Sequence, residues 1–225
     1  LINNRCDSLV IHSKGLSDQE LIKFSQEIPG LTVINRFIPE IAERCVALDN
    51  VKGSSLALNH LLRAGHEKIG YLASSHQIED SADRKQGYRS ELEKHGLNYS
   101  GSLVAAGEPD ELGGAEAMRD LLAKNVPFTA VATYNDLMAA GAIKVLTENN
   151  IRVPEDVSVI GFDDSSIASY LSPTLTTVRY PIQIMASHAA RLAIHLTEKS
   201  PYEHNKHLYV PTLVVRHSVK KQSST

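Results

Sequence analysis

The stretch Val157-Ser158-Val159-Ile160-Gly161-Phe162-Asp163-Asp164 sets apolar or small residues in a row and closes them with two carboxylates. A run this apolar leaves no wet face. That suits a strand covered on both sides, as in a parallel sheet. A carboxylate directly behind such a run needs a partner. Asp163 therefore marks a strand end and a point where polar chemistry converges.

Working outward, similar runs recur at residues 7–12, 31–35, 45–48, 68–73, 102–106, 130–134 and 175–178. Helical patterns separate most of them. Ser17-Asp18-Gln19-Glu20 reads as a capping box, with Leu21, Phe24 and Ile28 following at helical spacing. Further patterns cover 56–62, stopped by Gly65, and 84–95, stopped by Gly96, then 111–124, 136–149 and 182–197. Alternating strands and helices give βαβ units, and right-handed crossovers place helices on both faces of a doubly wound sheet. Residues 1–5 read as the end of a helix, so the fold is expected to begin upstream.

The 225 residues are 42% hydrophobic and 22% charged, ordinary proportions for a soluble globular chain with one large core or two smaller ones. Net charge is -3 and the basic residues are scattered, so these residues are not expected to bind DNA well by themselves. No apolar run is long enough to span a membrane, and no secretory signal opens the chain. Cys6 and Cys45 lie in apolar β-like runs and read as buried, reduced thiols of a cytoplasmic protein.

In open α/β sheets, ligands bind beyond the carboxyl ends of the strands. Those positions carry Asn35, Arg36 and Phe37; Asp49 and Asn50; Ser74, Ser75 and His76; Asn135 and Asp136; and Asp163 and Asp164. Arg84 opens a helix behind Asp80 and Asp83. Carboxylate, amide and guanidinium together match the hydroxyls of a sugar, and the Phe37 ring suits its apolar side. Plainer readings compete. Asp136 and Asp164 are candidates for helix N-caps, Asp49 or Asn50 for turn formers, and Arg84 for a surface helix residue. Gly113-Gly114 falls inside a helical pattern and is no phosphate cradle. No phosphate loop, dinucleotide fingerprint, nucleophile elbow or zinc-binding helix motif is present, and the histidines share no metal spacing. No catalytic residue, metal or cofactor is expected.

Six segments carry a resemblance: 60–72 (HLLRAGHEKIGYL), 83–88 (DRKQGY), 134–142 (YNDLMAAGA), 153–164 (VPEDVSVIGFDD), 175–181 (LTTVRYP) and 211–218 (PTLVVRHS). In this order, covering residues 6–218, they resemble the LacI/GalR family of bacterial transcription regulators. Residues 33–36 and 107–111 look like the branch holding the galactose and β-glucoside repressors. The resemblance implies a type I periplasmic-binding-protein-like core of two doubly wound parallel-sheet lobes, with a sugar effector between them. It implies ligand positions at Arg84, Asn135 and Asp163, with Arg36 and Phe37 beside the cleft and Glu108, next to Pro109, on a variable wall. It puts the first lobe at 1–66 plus 177–198, the second at 67–176 plus 199–218, and a flexible tail at 219–225. The family's helix-turn-helix and the opening strands of the first lobe are absent from these residues. Operator DNA would then be contacted by the parent protein through that domain, as a cytoplasmic homodimer whose DNA affinity the sugar alters. Two rivals share the polar set: a periplasmic sugar-binding protein of an importer, and a sugar-processing enzyme.

Overall fold

The computed structural model describes residues 6–13, 15–199 and 207–222. In chain order it carries β1 (Ser8–Ile11), α1 (Asp18–Glu27), β2 (Gly30–Ile34), β3 (Cys45–Leu48), α2 (Asn50–Arg63), β4 (Ile69–Ser74), α3 (Glu79–Lys94), β5 (Val104–Gly107) and α4 (Glu111–Ala123). Then follow β6 (Ala130–Thr133), α5 (Asp136–Glu148), β7 (Ser158–Asp163), α6 (Ser166–Tyr170), β8 (Thr176–Arg179), α7 (Ile182–Glu198), β9 (Leu208–Tyr209) and β10 (Thr212–Val214). The strands and helices read from the sequence are all here. However, α2 starts at Asn50 and α3 at Glu79, earlier than their apolar patterns suggest, because their first turns bury polar residues, Asn50 and Asp80. The helix end expected over residues 1–5 lies outside the described residues.

The chain divides into two units, Leu1–Asp49 with Pro181–Val210, and Asn50–Tyr180 with Pro211–Thr225. The crossings differ from those expected after residues 66, 176 and 198. Backbone pairing and packing explain each shift. Helix α2 packs on α3 and on strands of the second unit's sheet, β8 pairs with β7, and β9 pairs with β3 in the first unit.

The first unit holds a four-stranded sheet in the order β1-β2-β3-β9, parallel at every described pairing. All five residues of β2 are buried, as a strand covered on both faces requires. Leu31 and Val33 pack with Leu21 and Ile28 of the α1 region and with Ile38, Ile41 and Cys45. Helix α7 lies on the same sheet and buries Met185, Ala189 and Leu192. A large apolar side chain buried this way contributes about 1.5–3 kcal/mol relative to exposure. The capping box forms: the Ser17 backbone N–H donates to Glu20 Oε2 at 2.8 Å, and the Glu20 N–H donates back to Ser17 Oγ. Burial pushes the Cys45 thiol up to about 11. Cys6 precedes β1 instead of lying in it and is only half-buried, unlike the pair of buried thiols expected.

The second unit is built on a six-stranded sheet in the order β10-β8-β7-β6-β4-β5, parallel except for β10 against β8. Neighbouring residues on a strand face opposite ways. Leu72, Val131 and Val159 join the core made with Met118, Leu121, Met138 and Leu146 of α4 and α5. Tyr71, beside Leu72, instead stacks on Tyr88 of α3 at 4.9 Å. Helices α4 and α5 approach through glycines. A Cβ on Gly114 would strike the Met138 backbone, and one on Gly141 the Glu111 carbonyl. The segment expected to be a flexible tail is held as far as residue 222. Ser218 Oγ accepts the Thr176 N–H at 2.8 Å, the Lys220 carbonyl meets buried His66 Nε2 at 3.1 Å, and the Gln222 N–H donates to the Ala64 carbonyl at 2.7 Å. Among the described residues no helix is long and apolar enough to cross a membrane.

Candidate functional site

The polar groups of the second unit gather at the carboxyl ends of β4, β5, β6 and β7, around a buried arginine. Arg84 lies on α3 and is only 4% exposed, which rules out the surface-helix reading. A buried guanidinium needs a partner for each of its directions. Its Nε donates to Asn50 Oδ1 at 2.9 Å, and its Nη1 to the Tyr134 carbonyl at 2.7 Å and to Asp163 Oδ1 at 3.3 Å. Its carbon centre sits 3.7 Å from the Phe162 ring centroid and 4.6 Å from that of Tyr134. Cation–π attraction adds about 1–2 kcal/mol in such a desolvated place. Asn50 is thus an arginine acceptor, not merely a turn former.

Asp163 closes β7 with φ at 113°, a conformation uncommon for a residue with a Cβ. One oxygen takes Arg84; the other accepts no hydrogen bond among the described residues. The side chain keeps 33% of its surface open. Burial of its inner face raises the carboxyl above the ordinary aspartate value, while Arg84 pulls it down and Asp80 pushes it up. The result is a carboxylate braced on one side and able to accept from a donor-rich ligand on the other.

Asn135 sits where β6 ends. Its Oδ1 caps α5 by accepting the Met138 N–H at 2.9 Å, and its Nδ2 donates to the Pro109 carbonyl at 2.8 Å. One amide hydrogen is left for a ligand. Asn135, not Asp136, is therefore the N-cap. Asp136 is fully buried inside the first turn and turns toward Ser165 and Thr177. Nor does Asp164 cap a helix: it pairs with Arg179 at 2.7 Å and Arg216 at 2.6 Å. Glu108, beside Pro109, accepts from the Ser75 hydroxyl at 2.5 Å and meets His76 Nε2 at 2.7 Å, and these two hold its carboxyl below the usual range.

Arg36 and Phe37 belong to the first unit. Arg36 donates to the Leu16 carbonyl at 2.6 Å and pairs with Asp18 Oδ1 at 2.7 Å, so much of its fork braces the entry to α1. Phe37 is exposed. The structure thus brings Asp163 and Asn135 to neighbouring strand ends with Arg84 of α3 on Asp163, places Glu108 after β5 in the same sheet, and leaves Arg36 and Phe37 on the other unit. The sequence reading missed Tyr134, Phe162 and Tyr180. Tyr180 accompanies Asp163 through its backbone, donating its N–H to the Asp163 carbonyl at 3.2 Å. Burial and the nearby Asp80 raise its phenol, Arg84 opposing them. The available signal was their position flanking the strand-end polar residues. Among the described residues no cluster of three His, Cys, Asp or Glu side chains could hold a metal ion.

Residues 58–219 match the family described as periplasmic binding protein-like domain. A solved sugar-binding transcriptional regulator of the LacI family from Escherichia coli, complexed with phosphate, superposes with a TM-score of 0.93 at 32% identity, over 98% of this chain and 80% of that one. The chain belongs to the LacI/GalR family. It is 48% identical to the HTH-type transcriptional regulator GalR of Escherichia coli K12 across 99% of its length, and 50% identical to GalS of Salmonella typhimurium LT2 across 97%. It spans 65% and 64% of those two relatives. These LacI/GalR relatives are transcriptional regulators, which favours that reading over the importer and the enzyme.

Proposed function

We propose that this chain is the effector-binding and dimerisation core of a sugar-responsive bacterial transcriptional repressor that works in the cytoplasm. The observation that carries the reading is the strand-end set of the second unit, where Arg84 fixes one oxygen of Asp163 and leaves the other for hydroxyl donors. Asn135 stands at the adjacent strand end, after β6, and Glu108 follows β5, the strand beyond β4, where its neighbour Pro109 accepts from Asn135 Nδ2. A galactoside or a β-glucoside supplies the matching ring of hydroxyls. Operator DNA is bound by the parent homodimer through a helix-turn-helix outside these 225 residues. Sugar binds one of two pre-existing states more tightly and shifts the equilibrium between DNA-binding states. Coupling of this kind is typically about 1–3 kcal/mol, or roughly 5–150-fold in operator affinity.

The test is a thermal-shift screen of the purified chain against D-galactose, D-glucose, D-fructose and cellobiose, followed by calorimetry on the hits. A sugar present at a hundredfold excess over its Kd stabilises by about 2.7 kcal/mol, which a melting curve resolves. No shift with any hexose or disaccharide would remove the sugar reading. Turnover of the sugar during incubation would return the enzyme.

A further inference from the structure

Asp136 is fully buried at the first turn of α5, and the site described above does not use it. A carboxylate at this position ordinarily serves its own helix through the amides of the first turn. Here Asn135 takes the Met138 N–H, and Asp136 looks elsewhere. Its Oδ2 accepts the Ser165 backbone N–H at 2.7 Å and the Ser165 hydroxyl at 3.1 Å. Its Oδ1 accepts the Thr177 hydroxyl, from β8, at 2.5 Å. Thr177 Oγ1 in turn accepts the Asp164 N–H at 3.4 Å.

All of these contacts converge on the turn that leaves β7. That turn holds two consecutive residues with a Cβ at positive φ, Asp163 at 113° and Asp164 at 54°. Such conformations persist only where the surroundings over-determine them. Asp164 is tied on one side by Arg179 and Arg216; Asp136 supplies the tie on the other. Strand β7 also leaves room for it: a Cβ on Gly161 would collide with Asp136 Oδ1. Burial lifts the Asp136 carboxyl to about 6, a cost only partly offset by Thr177 and Ser165. A carboxylate kept under that penalty is explained by what it holds.

We propose that Asp136 is a positioning residue for effector binding, holding the 163–166 turn through Ser165 and Thr177 so that Asp163 presents its free oxygen at the strand end. This rests on the reading of Asp163 as a sugar ligand. The test is a double-mutant cycle by calorimetry with D-galactose, using Asp136→Asn, Asp163→Ala and the pair. The amide that replaces the carboxylate turns an N–H₂ toward donors on one side, so Asp136→Asn weakens binding about tenfold or more, the loss of one hydrogen bond to a charged group. If Asp136 acts through Asp163, it has no further effect once Asp163 is alanine. Hydrogen exchange at the Ser165 amide accelerates in Asp136→Asn with or without sugar. Should Asp136→Asn fail to fold, the Thr177 pair gives the same answer: Thr177→Val weakens binding and Thr177→Ser restores it to within about twofold, since only the serine keeps the hydroxyl. Additive losses in the cycle, or a Thr177→Val that binds as wild type, overturn the inference and leave the site standing. If D-galactose does not bind, the cycle is run with whichever of D-glucose, D-fructose or cellobiose does; wild type that binds none of the four, or Asp163→Ala that binds unchanged, removes the site and the inference together.

Discussion

Replacing Arg84 with methionine keeps a buried apolar stem and deletes the guanidinium. Three acceptors then lose their donor: Asn50 Oδ1, the Tyr134 carbonyl and Asp163 Oδ1. Removing one partner of a fully buried ion pair costs about 3–5 kcal/mol. Asp163 is one-third open, so water takes over part of its solvation and about 2 kcal/mol remains of that figure. The two neutral acceptors add about 1 kcal/mol each. The lost attraction to the Phe162 and Tyr134 rings is largely made up by sulfur packed on the same faces. The expected loss is therefore about 4 kcal/mol at neutral pH, or roughly 8–16 °C in melting temperature for a chain of this size.

The sign of the pH dependence follows from Asp163, whose carboxyl already stands above its ordinary value. Without Arg84 it rises further. The penalty is full where that carboxyl is ionised and fades as it takes up a proton, so the gap between variant and wild type narrows as pH falls. Urea unfolding followed by circular dichroism at pH 7.5 and pH 5 reads both quantities. A loss under about 1 kcal/mol, or a gap that widens toward acid, would refute the buried-hub account.

Asp163→Ala should cost sugar binding about 1.5–3 kcal/mol, on the order of 10–150-fold in Kd by calorimetry, with the fold intact by circular dichroism. His66→Ala should speed hydrogen exchange at the Lys220 and Gln222 amides, because His66 braces the segment in which those amides bond Ser158 and Ala64. Burial lowers the His66 pKa, so folding excludes a proton there; stability falls as pH drops through about 6.5, and melting curves of the variant should show less of that fall. Gly141→Ala would gain about 1 kcal/mol in helix propensity but loses more to the collision with the Glu111 carbonyl; a variant that melts higher than wild type would contradict the close approach of α4 to α5.

The strands were legible because their apolar runs are unbroken, and a doubly covered strand such as β2 has no other way to be written. Helix ends were read less well wherever a polar residue is buried in a first turn, since Asn50 and Asp80 look like solvent-facing loop residues until their surroundings are known. The unit boundaries were misread for a related reason. Asp49-Asn50 and Tyr180-Pro181 carry no linker composition, and the unit a strand joins is decided by ladder partners far away in sequence. At the site, Asp163 and Arg84 could be singled out by pattern and resemblance. That Asn135 caps α5 while Asp136 reaches a distant turn could not, because either residue type serves both purposes.

The division of the chain also sets an order of assembly. Strands β4 to β8 and their helices come from one unbroken stretch, Asn50–Tyr180, whereas β1 to β3 must wait for α7 and β9 from Pro181–Val210 before that sheet is covered. A ribosome working at about 5–20 residues per second therefore releases the first segment several seconds before its cover emerges. During that interval β2, apolar along most of its length, stays without its α7 face, while the Arg84 hub can already close within the stretch being made. Of the two sheets, the one begun first is the one finished last, and nascent-chain quality control would meet it as an open sheet.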